Sequence, residues 1–236
     1  MSFLNAEWRK LVLLNYEVDP TILRSYLPFG TELDLWNGKC YVSVIGFMFL
    51  NTKILGFKVP FHVNFEEVNL RFYVRRKQGD NWKRGVVFIK ELVPKPALTF
   101  VANTIYNENY QTTSMKHIWN ENSSERNVEY HWKMNSVWQF IKVKSEAEAT
   151  VIPENSEAEF ITEHYWGYAK VNNNKTNEYE VTHPRWLQYN VLEYEISIDF
   201  KANYGIAFEF LNTRKPVSVL LAEGSEITVE SKSTLI

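Results

Sequence analysis

Four polar side chains recur at every second position of one stretch, at Glu67, Asn69, Arg71 and Tyr73. The side chains between and after them are apolar, namely Val68, Leu70, Phe72 and Val74. Because successive side chains of a strand point to opposite faces, this alternation predicts a strand with one apolar face and one polar face. An acid, an amide, a guanidinium and a phenol on one face could together bind and orient a small polar ligand. The alternative is an ordinary half-exposed strand whose charges are solvated.

Arg71 indicates the class of ligand. Its guanidinium is a planar fork of donors that suits bidentate contact with a carboxylate or another oxyanion. Since an unpaired buried charge costs several kcal/mol, this side chain must contact an acid or reach water in a cavity. We predict that the polar face points into the protein, where Glu67 and Asn69 orient the ligand beside Arg71 and Tyr73.

Three side chains elsewhere are candidates for the same site, namely Glu163, His183 and Trp186. Glu163 could neutralise Arg71, and Trp186 could form an apolar wall. An unperturbed histidine titrates at a pKa of about 6.5, so His183 is predicted as a proton donor or acceptor, with Glu67 as the second catalytic residue. We therefore predict that these side chains converge on one cavity. The alternative is that the histidine caps a loop and the glutamate lies on the surface.

Other kinds of catalytic site are not indicated. There is no Gly-x-Ser-x-Gly turn, and Cys40 lies in an apolar run that predicts a packed thiol. The histidines never occur at a metal-ligand spacing; they are His62, His117, His131, His164 and His183. We predict no metal and no cofactor.

The elements that must position these residues are predicted to be short strands. Aromatic residues make up 15% of the chain, which favours strands and a sizeable core. Residues 40–50 are apolar on both faces, residues 97–106 are predicted to resume a strand after two prolines, and residues 112–119 to form a helical turn or two. There is no linker or repeat. This pattern predicts an antiparallel barrel or paired sheets, in a single domain over residues 1–236.

Charge and hydropathy limit the partners. The formal net charge is −2 and the isoelectric point is about 6.2, which argues against a nucleic-acid-binding surface. No secretory leader is visible in residues 1–10, and no apolar run approaches the ~20 residues that span a bilayer. We predict a soluble, cytoplasmic protein with no nucleic-acid or membrane partner. A homo-oligomer is compatible with the sequence.

These stretches, in this order, resemble the YqjF-like family, a domain of unknown function that is distantly similar to acetoacetate decarboxylase. The resemblance runs from about Trp8 to about Thr228. It rests on Leu27-Pro28, Tyr41-Val42-Ser43-Val44, Phe65-x-Glu67-x-Asn69-x-Arg71-x-Tyr73-Val74, Arg84-Gly85-Val86-Val87-Phe88, Thr162-Glu163-His164-Tyr165 and Val181-x-His183-x-x-Trp186. It implies a mainly β fold, a curved antiparallel β-barrel with a central cavity and a few short helices.

The resemblance also implies a chemical difference. In the decarboxylase relatives, a Pro-Lys-Lys segment supplies the lysine that forms a Schiff base with the keto acid. The corresponding stretch here is Asn109-Tyr110-Gln111, so the amine is missing and Tyr110 is expected to contact the ligand instead. Lys90 and Lys116 are nearby in sequence, but neither lies in that motif.

Three functions follow as hypotheses. The first is binding of a small carboxylate or other oxyanionic metabolite in a polar cavity, with or without catalysis. The second is a lyase or decarboxylase acting on small oxo acids without the usual Schiff-base lysine. The third is a structural or interaction β-domain in which the polar face of the strand is only a buried network.

Overall fold

The structure is a computed structural model that describes residues 2–236. The strands are β1 (Leu4–Val18), β2 (Glu32–Leu33), β3 (Cys40–Ile54), β4 (Phe65–Gln78), β5 (Asn81–Val93), β6 (Tyr110–Thr112), β7 (Met115–Glu121), β8 (Glu125–Met134), β9 (Val137–Val151), β10 (Trp166–Asn172), β11 (Lys175–Thr182), β12 (Leu187–Ser197), β13 (Ser218–Val229) and β14 (Ser233–Leu235). The helices are α1 (Pro20–Leu23), α2 (Pro96–Val101), a π-helix (Ala102–Tyr106), α3 (Glu157–Thr162), α4 (Phe200–Tyr204) and a 3₁₀-helix (Ile206–Thr213). The prediction of a mainly β protein with a few short helices is confirmed.

Seven strands form a curved, closed ring. Their order is β1, β3, β4, β5, β10, β11 and β13, and β13 pairs again with β1. Pairing of β11 with β13 at Val181↔Val229 and Thr182↔Thr228 closes the circuit. Beyond β13 the sheet continues through β12, β9 and β8 to β7. The predicted barrel is therefore a ring-like sheet with an extension. Two of its pairings, β5 with β10 and β5 with β6, are parallel where antiparallel pairing was expected.

The apolar face of β4 packs outside the ring. Val68, Leu70, Phe72 and Val74 are fully buried in one cluster. The same cluster contains Tyr130 and Trp132 of β8 and Phe200 and Tyr204 of α4, so the sheet extension and α4 cover this face of β4. Because side chains alternate along the strand, the polar face of β4 is left for the interior of the ring.

Two segments differ from the sequence prediction. Residues 97–106, predicted as a strand, form α2 and the π-helix; Pro96 occupies the first turn, and Asn107, with a φ of 61°, ends the segment. The prediction interpreted the prolines as a break between two strand segments, but a proline is also favoured in the first turn of a helix. Residues 112–119 were predicted as helical turns, but β7 pairs along its whole length with β8. Cross-strand pairing overrode the local preference there.

Gly85 permits the parallel approach of β10 to β5. A Cβ at this position would lie 2.4 Å from the carbonyl oxygen of Trp166 and 2.6 Å from Cε2 of Tyr168. No side chain can be accommodated at those distances without moving the backbone of β10. Gly85 therefore permits one of the contacts that close the ring.

We expect Gly85→Ala to lower the free energy of unfolding by about 1–3 kcal/mol, because an extra methyl group in a filled site forces backbone shifts. Urea unfolding followed by tryptophan fluorescence measures the change. Asn81→Ala, at the exposed start of the same strand, is the control and should change stability by less than about 0.5 kcal/mol. Equal stability of the two variants would contradict the proposed role of Gly85.

Candidate functional site

The ring encloses a cavity of about 250 Å³. Every one of the seven ring strands contributes to its lining, together with α2 and the π-helix that follow β5. Most of the wall is apolar, and charged or titratable groups gather at a few points. The groups that the site is built around are Glu67, Arg71, Glu91, Glu108, His164 and His183.

The polar row of β4 forms one side of this cavity. Glu67, Asn69 and Arg71 are buried and line the cavity. Tyr73, the last member of the row, is buried but does not line the cavity. Its hydroxyl is 2.7 Å from Oγ of Ser43, and its ring centroid lies 5.4 Å from Cζ of Arg71. The ring of Tyr73 therefore packs near the guanidinium of Arg71 but does not form part of the cavity wall.

A β-bulge decides which side chain of β5 enters the cavity. The pairing of β4 with β5 skips one residue between Leu70 and Arg71, which leaves Ile89 as an extra residue on β5. The β5 side chains in the lining are Val86, Phe88 and Glu91. Strict alternation would have placed Lys90 after Phe88, but the extra residue reverses the phase. The bulge therefore supplies an acid to the cavity where regular pairing would have supplied an amine.

Three glutamates from three different segments meet at what we call the acidic end, namely Glu67, Glu91 and Glu108. Glu67 accepts hydrogen bonds from Nδ2 of Asn69 at 2.9 Å and from the hydroxyl of Tyr110 at 3.2 Å. Tyr110 reaches this position because β6 runs parallel to β5 and pairs beside Glu91. The predicted ligand-binding residue Tyr110 therefore lies in the cavity wall, bonded to the predicted catalytic residue Glu67.

The other two members of the acidic end differ in their bonding. Oε1 of Glu108 accepts a hydrogen bond from the hydroxyl of Tyr179 at 2.8 Å. The ring of Tyr179 can lie there because Gly167 has no side chain; a Cβ on Gly167 would lie 2.2 Å from Cζ of that ring. Glu91 is only 2% exposed, and its Oε2 has no hydrogen-bond partner.

Burial raises the pKa of all three glutamates. The pKa of Glu67 rises to about 7, although hydrogen bonds from Asn69 and Tyr110 oppose the rise. The pKa of Glu108 also rises to about 7, and that of Glu91 rises well above its usual range because the two neighbouring carboxylates add to the effect of burial. The acidic end therefore exchanges protons near neutral pH.

Arg71, His164 and His183 form what we call the basic end. Arg71 is 8% exposed, and Nη2 donates to the carbonyl oxygen of Ile161 at 3.0 Å. Its Nε has no partner, and no carboxylate within residues 2–236 forms an ion pair with it. The cavity wall thus contains a buried cation without a protein counter-ion.

His164 is held by Asp34. Oδ2 of Asp34 lies 3.1 Å from Nε2 of His164 and 2.6 Å from Nε of Arg84. Burial lowers the pKa of His164 to about 4, so the imidazole is neutral at pH 7. Although burial opposes the change, hydrogen bonds from His164 and Arg84 lower the pKa of Asp34, which is therefore a carboxylate. The imidazole then donates from Nε2, and its Nδ1, which has no partner, is a free acceptor.

His183 and Trp186 form an adjoining part of the wall. Their rings stack with centroids 4.3 Å apart. Nδ1 of His183 donates to the carbonyl oxygen of Pro184 at 2.9 Å, and Nε1 of Trp186 donates to Oγ of Ser225 at 2.9 Å. Burial lowers the pKa of His183 below its ordinary value. The imidazole is therefore suited to accept a proton at neutral pH.

Glu163 does not take the place that the sequence analysis gave it. It is absent from the cavity wall, and its carboxylate accepts a hydrogen bond from the hydroxyl of Tyr165. The predicted contact between Glu163 and Arg71 is not formed; Nη2 of Arg71 donates to the carbonyl oxygen of Ile161 instead. Thr162 and His164, on either side of Glu163, line the cavity instead. The backbone at the end of α3 turns alternate side chains inward, so the histidine replaces the acid.

The structure brings six of the predicted site residues to one cavity, namely Glu67, Asn69, Arg71, Tyr110, His183 and Trp186. Sequence reasoning missed Glu91, Glu108 and His164. Of these, only His164 could have been identified from the sequence, since it lies in the motif Thr162-Glu163-His164-Tyr165, from which Glu163 was chosen.

Within residues 2–236 there is no group of three or more His, Cys, Asp or Glu side chains arranged to hold a metal ion. No helix in the same part of the chain is both long and apolar enough to cross a membrane.

Comparison with known sequences identifies relatives. A model of the DUF2071 family, described as an uncharacterized conserved protein, matches residues 5–226. The uncharacterized protein YqjF of Bacillus subtilis (strain 168) is 31% identical over 110 residues, which are 46% of this chain and 44% of YqjF. The aligned part thus spans less than half of that protein. The resemblance carried by the sequence motifs is confirmed.

Comparison with solved structures identifies the fold. Acetoacetate decarboxylase from Legionella pneumophila subsp. pneumophila str. Philadelphia 1 has a TM-score of 0.68 at 15% identity, covering 99% of this chain and 87% of that one. The enduracididine biosynthesis enzyme MppR complexed with pyruvate has a TM-score of 0.66 at 11% identity, covering 100% and 91%. An acetoacetate decarboxylase-like enzyme from Sphingomonas wittichii RW1 has a TM-score of 0.62 at 10% identity, covering 100% and 95%. At these identities the likeness shows a shared fold.

We expect the ring of His164 to stay neutral well below the ordinary histidine range, with a midpoint of about 4 in place of 6.5. Burial disfavours the imidazolium ion more than Asp34 stabilises it. NMR titration of the histidine ring signals measures the midpoint, and the spectrum of His164→Gln identifies the signal. A midpoint between pH 6 and 7 would contradict the burial of this ring beside Asp34.

We expect Glu67→Gln to stabilise the free protein more at pH 8 than at pH 5. The folded-state pKa of Glu67 is raised from 4.5 to about 7, so the wild-type protein loses stability as pH rises through that range, whereas glutamine stays neutral. The difference between the two pH values should be roughly 1–3 kcal/mol, since each pKa unit corresponds to about 1.4 kcal/mol. Urea unfolding at both pH values measures it. Glu193→Gln, on the exposed side of β12, is the control and should show no such difference.

Proposed function

The chain belongs to the DUF2071 family of uncharacterized conserved proteins, and we propose that its cavity binds a small carboxylate or another oxyanionic metabolite. Arg71 contacts the oxyanion in this proposal. Asn69 and Tyr110 orient the ligand, and Trp186 forms an apolar wall. A volume of about 250 Å³ suits a small metabolite better than a large one.

The observation that carries the proposal is the unpaired guanidinium of Arg71. Burying an ion without a partner of opposite charge is strongly unfavourable, and replacing one hydration shell by a single carbonyl contact does not offset it. A ligand carboxylate would supply both the counter-charge and acceptors for the free N–H groups. The neutral His164 would leave this end with a net positive charge, which favours an anion there.

Glu67 and His183 are the side chains that would transfer protons to or from such a ligand. An acid–base group works best when its pKa lies near the working pH, and the pKa of Glu67 is raised to about 7. His183 belongs to the basic end, where it stacks on Trp186. Glu67 belongs to the acidic end, so the two groups suit proton exchange at opposite ends of one bound molecule.

A lyase or decarboxylase acting on small oxo acids is the second candidate. MppR, which has this fold, is described in complex with pyruvate, a small oxo acid. However, no lysine lines the cavity within residues 2–236, and Tyr110 occupies the stretch that corresponds to the Schiff-base lysine of the decarboxylases. Any lyase chemistry here would have to use acid–base groups alone. A purely structural network, the third hypothesis, does not explain why Arg71 and Glu91 retain unpartnered polar atoms.

We expect small carboxylates, with pyruvate and n-hexanoate as probes, to raise the melting temperature, while the neutral hexanamide does not, because only a ligand that binds the native state stabilises it. Arg71→Gln should weaken carboxylate binding roughly 10- to 100-fold, since it removes a hydrogen-bonded charge contact. Arg75→Gln is the matched control, because Arg75 lies on the same strand but pairs with the partly exposed Glu32 outside the cavity. Equal binding by the two variants, or no carboxylate binding by the wild type, would overturn the proposal.

A second measurement tests whether the protein forms a Schiff base with an oxo acid. Wild-type protein is incubated with pyruvate, treated with borohydride and analysed by mass spectrometry. We expect no covalent mass gain, because a phenol cannot form an imine. A stoichiometric gain that maps to one lysine would contradict this expectation and would indicate Schiff-base chemistry with an amine nucleophile.

A further inference from the structure

The acidic end has no role in binding the oxyanion. Glu67 comes from β4, Glu91 from β5, and Glu108 from the segment after the π-helix, yet all three carboxylates line the same cavity as Arg71. Arg71 lies four residues from Glu67 on one strand, roughly 13 Å along its axis at about 3.3 Å per residue. The cavity is therefore polarised, with a cation at one end and a group of acids at the other.

The acids have only neutral partners in the protein. The donors to Glu67 and Glu108 are an amide and two phenols, and Oε2 of Glu91 has no donor although that residue is 2% exposed. No lysine, arginine or histidine of residues 2–236 forms an ion pair with any of the three. Lys90, the one lysine on this part of β5, is directed away by the bulge and donates to Gln111.

We propose that the acidic end binds a cationic amine or guanidinium group of the same ligand whose oxyanion contacts Arg71, so that the ligand class is an amino- or guanidino-carboxylate. This inference rests on the proposed function at the basic end. A cationic group would supply the donor that Oε2 of Glu91 lacks and would offset the repulsion among the carboxylates. Ile45 lines the cavity and pairs with Asn69, which lies between Glu67 and Arg71 on β4, so it suits the methylene chain that joins the two charged groups.

The competing arrangement places a neutral or anionic group at the acidic end. The glutamates would then bind as protonated acids, donating hydrogen bonds to the ligand. The two arrangements differ in the direction of proton exchange. A cation favours the carboxylate form and releases protons on binding, whereas a neutral acceptor or an anion favours the protonated form and takes protons up.

Three matched series of probes test the inference, namely ω-amino carboxylates, n-alkanoates and n-alkylamines of equal chain lengths. We expect the best ω-amino carboxylate to bind the wild-type protein at least tenfold more tightly than the alkanoate of the same length. Calorimetry near pH 7 in buffers of different ionisation enthalpy should show that its binding releases protons.

Variants assign the effect to the acidic end. Glu91→Gln keeps the shape of the side chain and should remove the advantage of the amino carboxylate while leaving alkanoate binding intact. Glu108→Gln should reduce the same advantage, which keeps the test valid if one variant fails to fold. Glu66→Gln is the matched control: Glu66 is next to Glu67 on β4, faces the other way and bonds His117 outside the cavity. It should leave the preference unchanged.

The outcomes separate this inference from the proposed function. If alkanoates bind as tightly as amino carboxylates at every length, or if binding takes up protons, the acidic end does not bind a cation and the oxyanion site stands alone. If alkylamines bind and alkanoates do not, the proposed function at Arg71 fails. If Glu66→Gln changes the preference as much as Glu91→Gln, the assignment to the acidic end is wrong. Absence of binding by all three series would count against both.

Discussion

The free-energy cost of burying charge governs the interior of this protein. The closed ring buries Arg71, Glu67 and Glu91 and half-buries Glu108, and no residue of 2–236 forms a salt bridge with any of the four. The two signs respond differently. A guanidinium cannot give up its proton, so it stays charged and unpaired, whereas the glutamates can become neutral and do so through raised pKa values. In the free protein, the largest uncompensated charge is therefore the guanidinium at the basic end. An anion bound there would compensate it.

The polarity of the cavity depends on local features of strand pairing. The extra residue Ile89 changes the phase of β5 and exchanges an inward Lys90 for an inward Glu91. The parallel pairing of β6 beside β5 then places Tyr110 next to this acid, and the missing side chain of Gly167 leaves room for the phenol that bonds Glu108. A lysine at this position would instead place a cation beside Glu67 and Glu108. A single bulge thus separates an amine-containing site from an acidic one on the same ring of strands.

The parts of the fold and site that could be predicted are those with a regular local pattern. The alternation along β4 was unbroken through its polar row, so the inward direction of Asn69 followed from period two alone. The inward position of Glu91 could not follow, because a bulge is set by how two strands pair and leaves no mark in the sequence of either. The same holds at the end of α3, where the helix termination brings His164 into the cavity and turns Glu163 away. Residues 97–106 were predicted as a strand because the two prolines before them were interpreted as a break in strand pairing, whereas Pro96 begins a helix.

The centre of the cavity restricts the chemistry that a bound molecule could undergo. A ligand held at both ends would place its middle beside Asn69, whose Nδ2 is engaged by Glu67 while its Oδ1 has no partner. Neither a lysine nor a cysteine lines the cavity within residues 2–236, and Cys40 is buried elsewhere with its pKa raised to about 11. The usual nucleophiles for an imine or a thioester are therefore absent from this wall. The wall does contain the carboxyl groups of Glu67 and Glu108, whose pKa values are raised to about 7, and the imidazoles of His164 and His183, whose pKa values are lowered by burial, a set suited to moving protons on a fixed ligand.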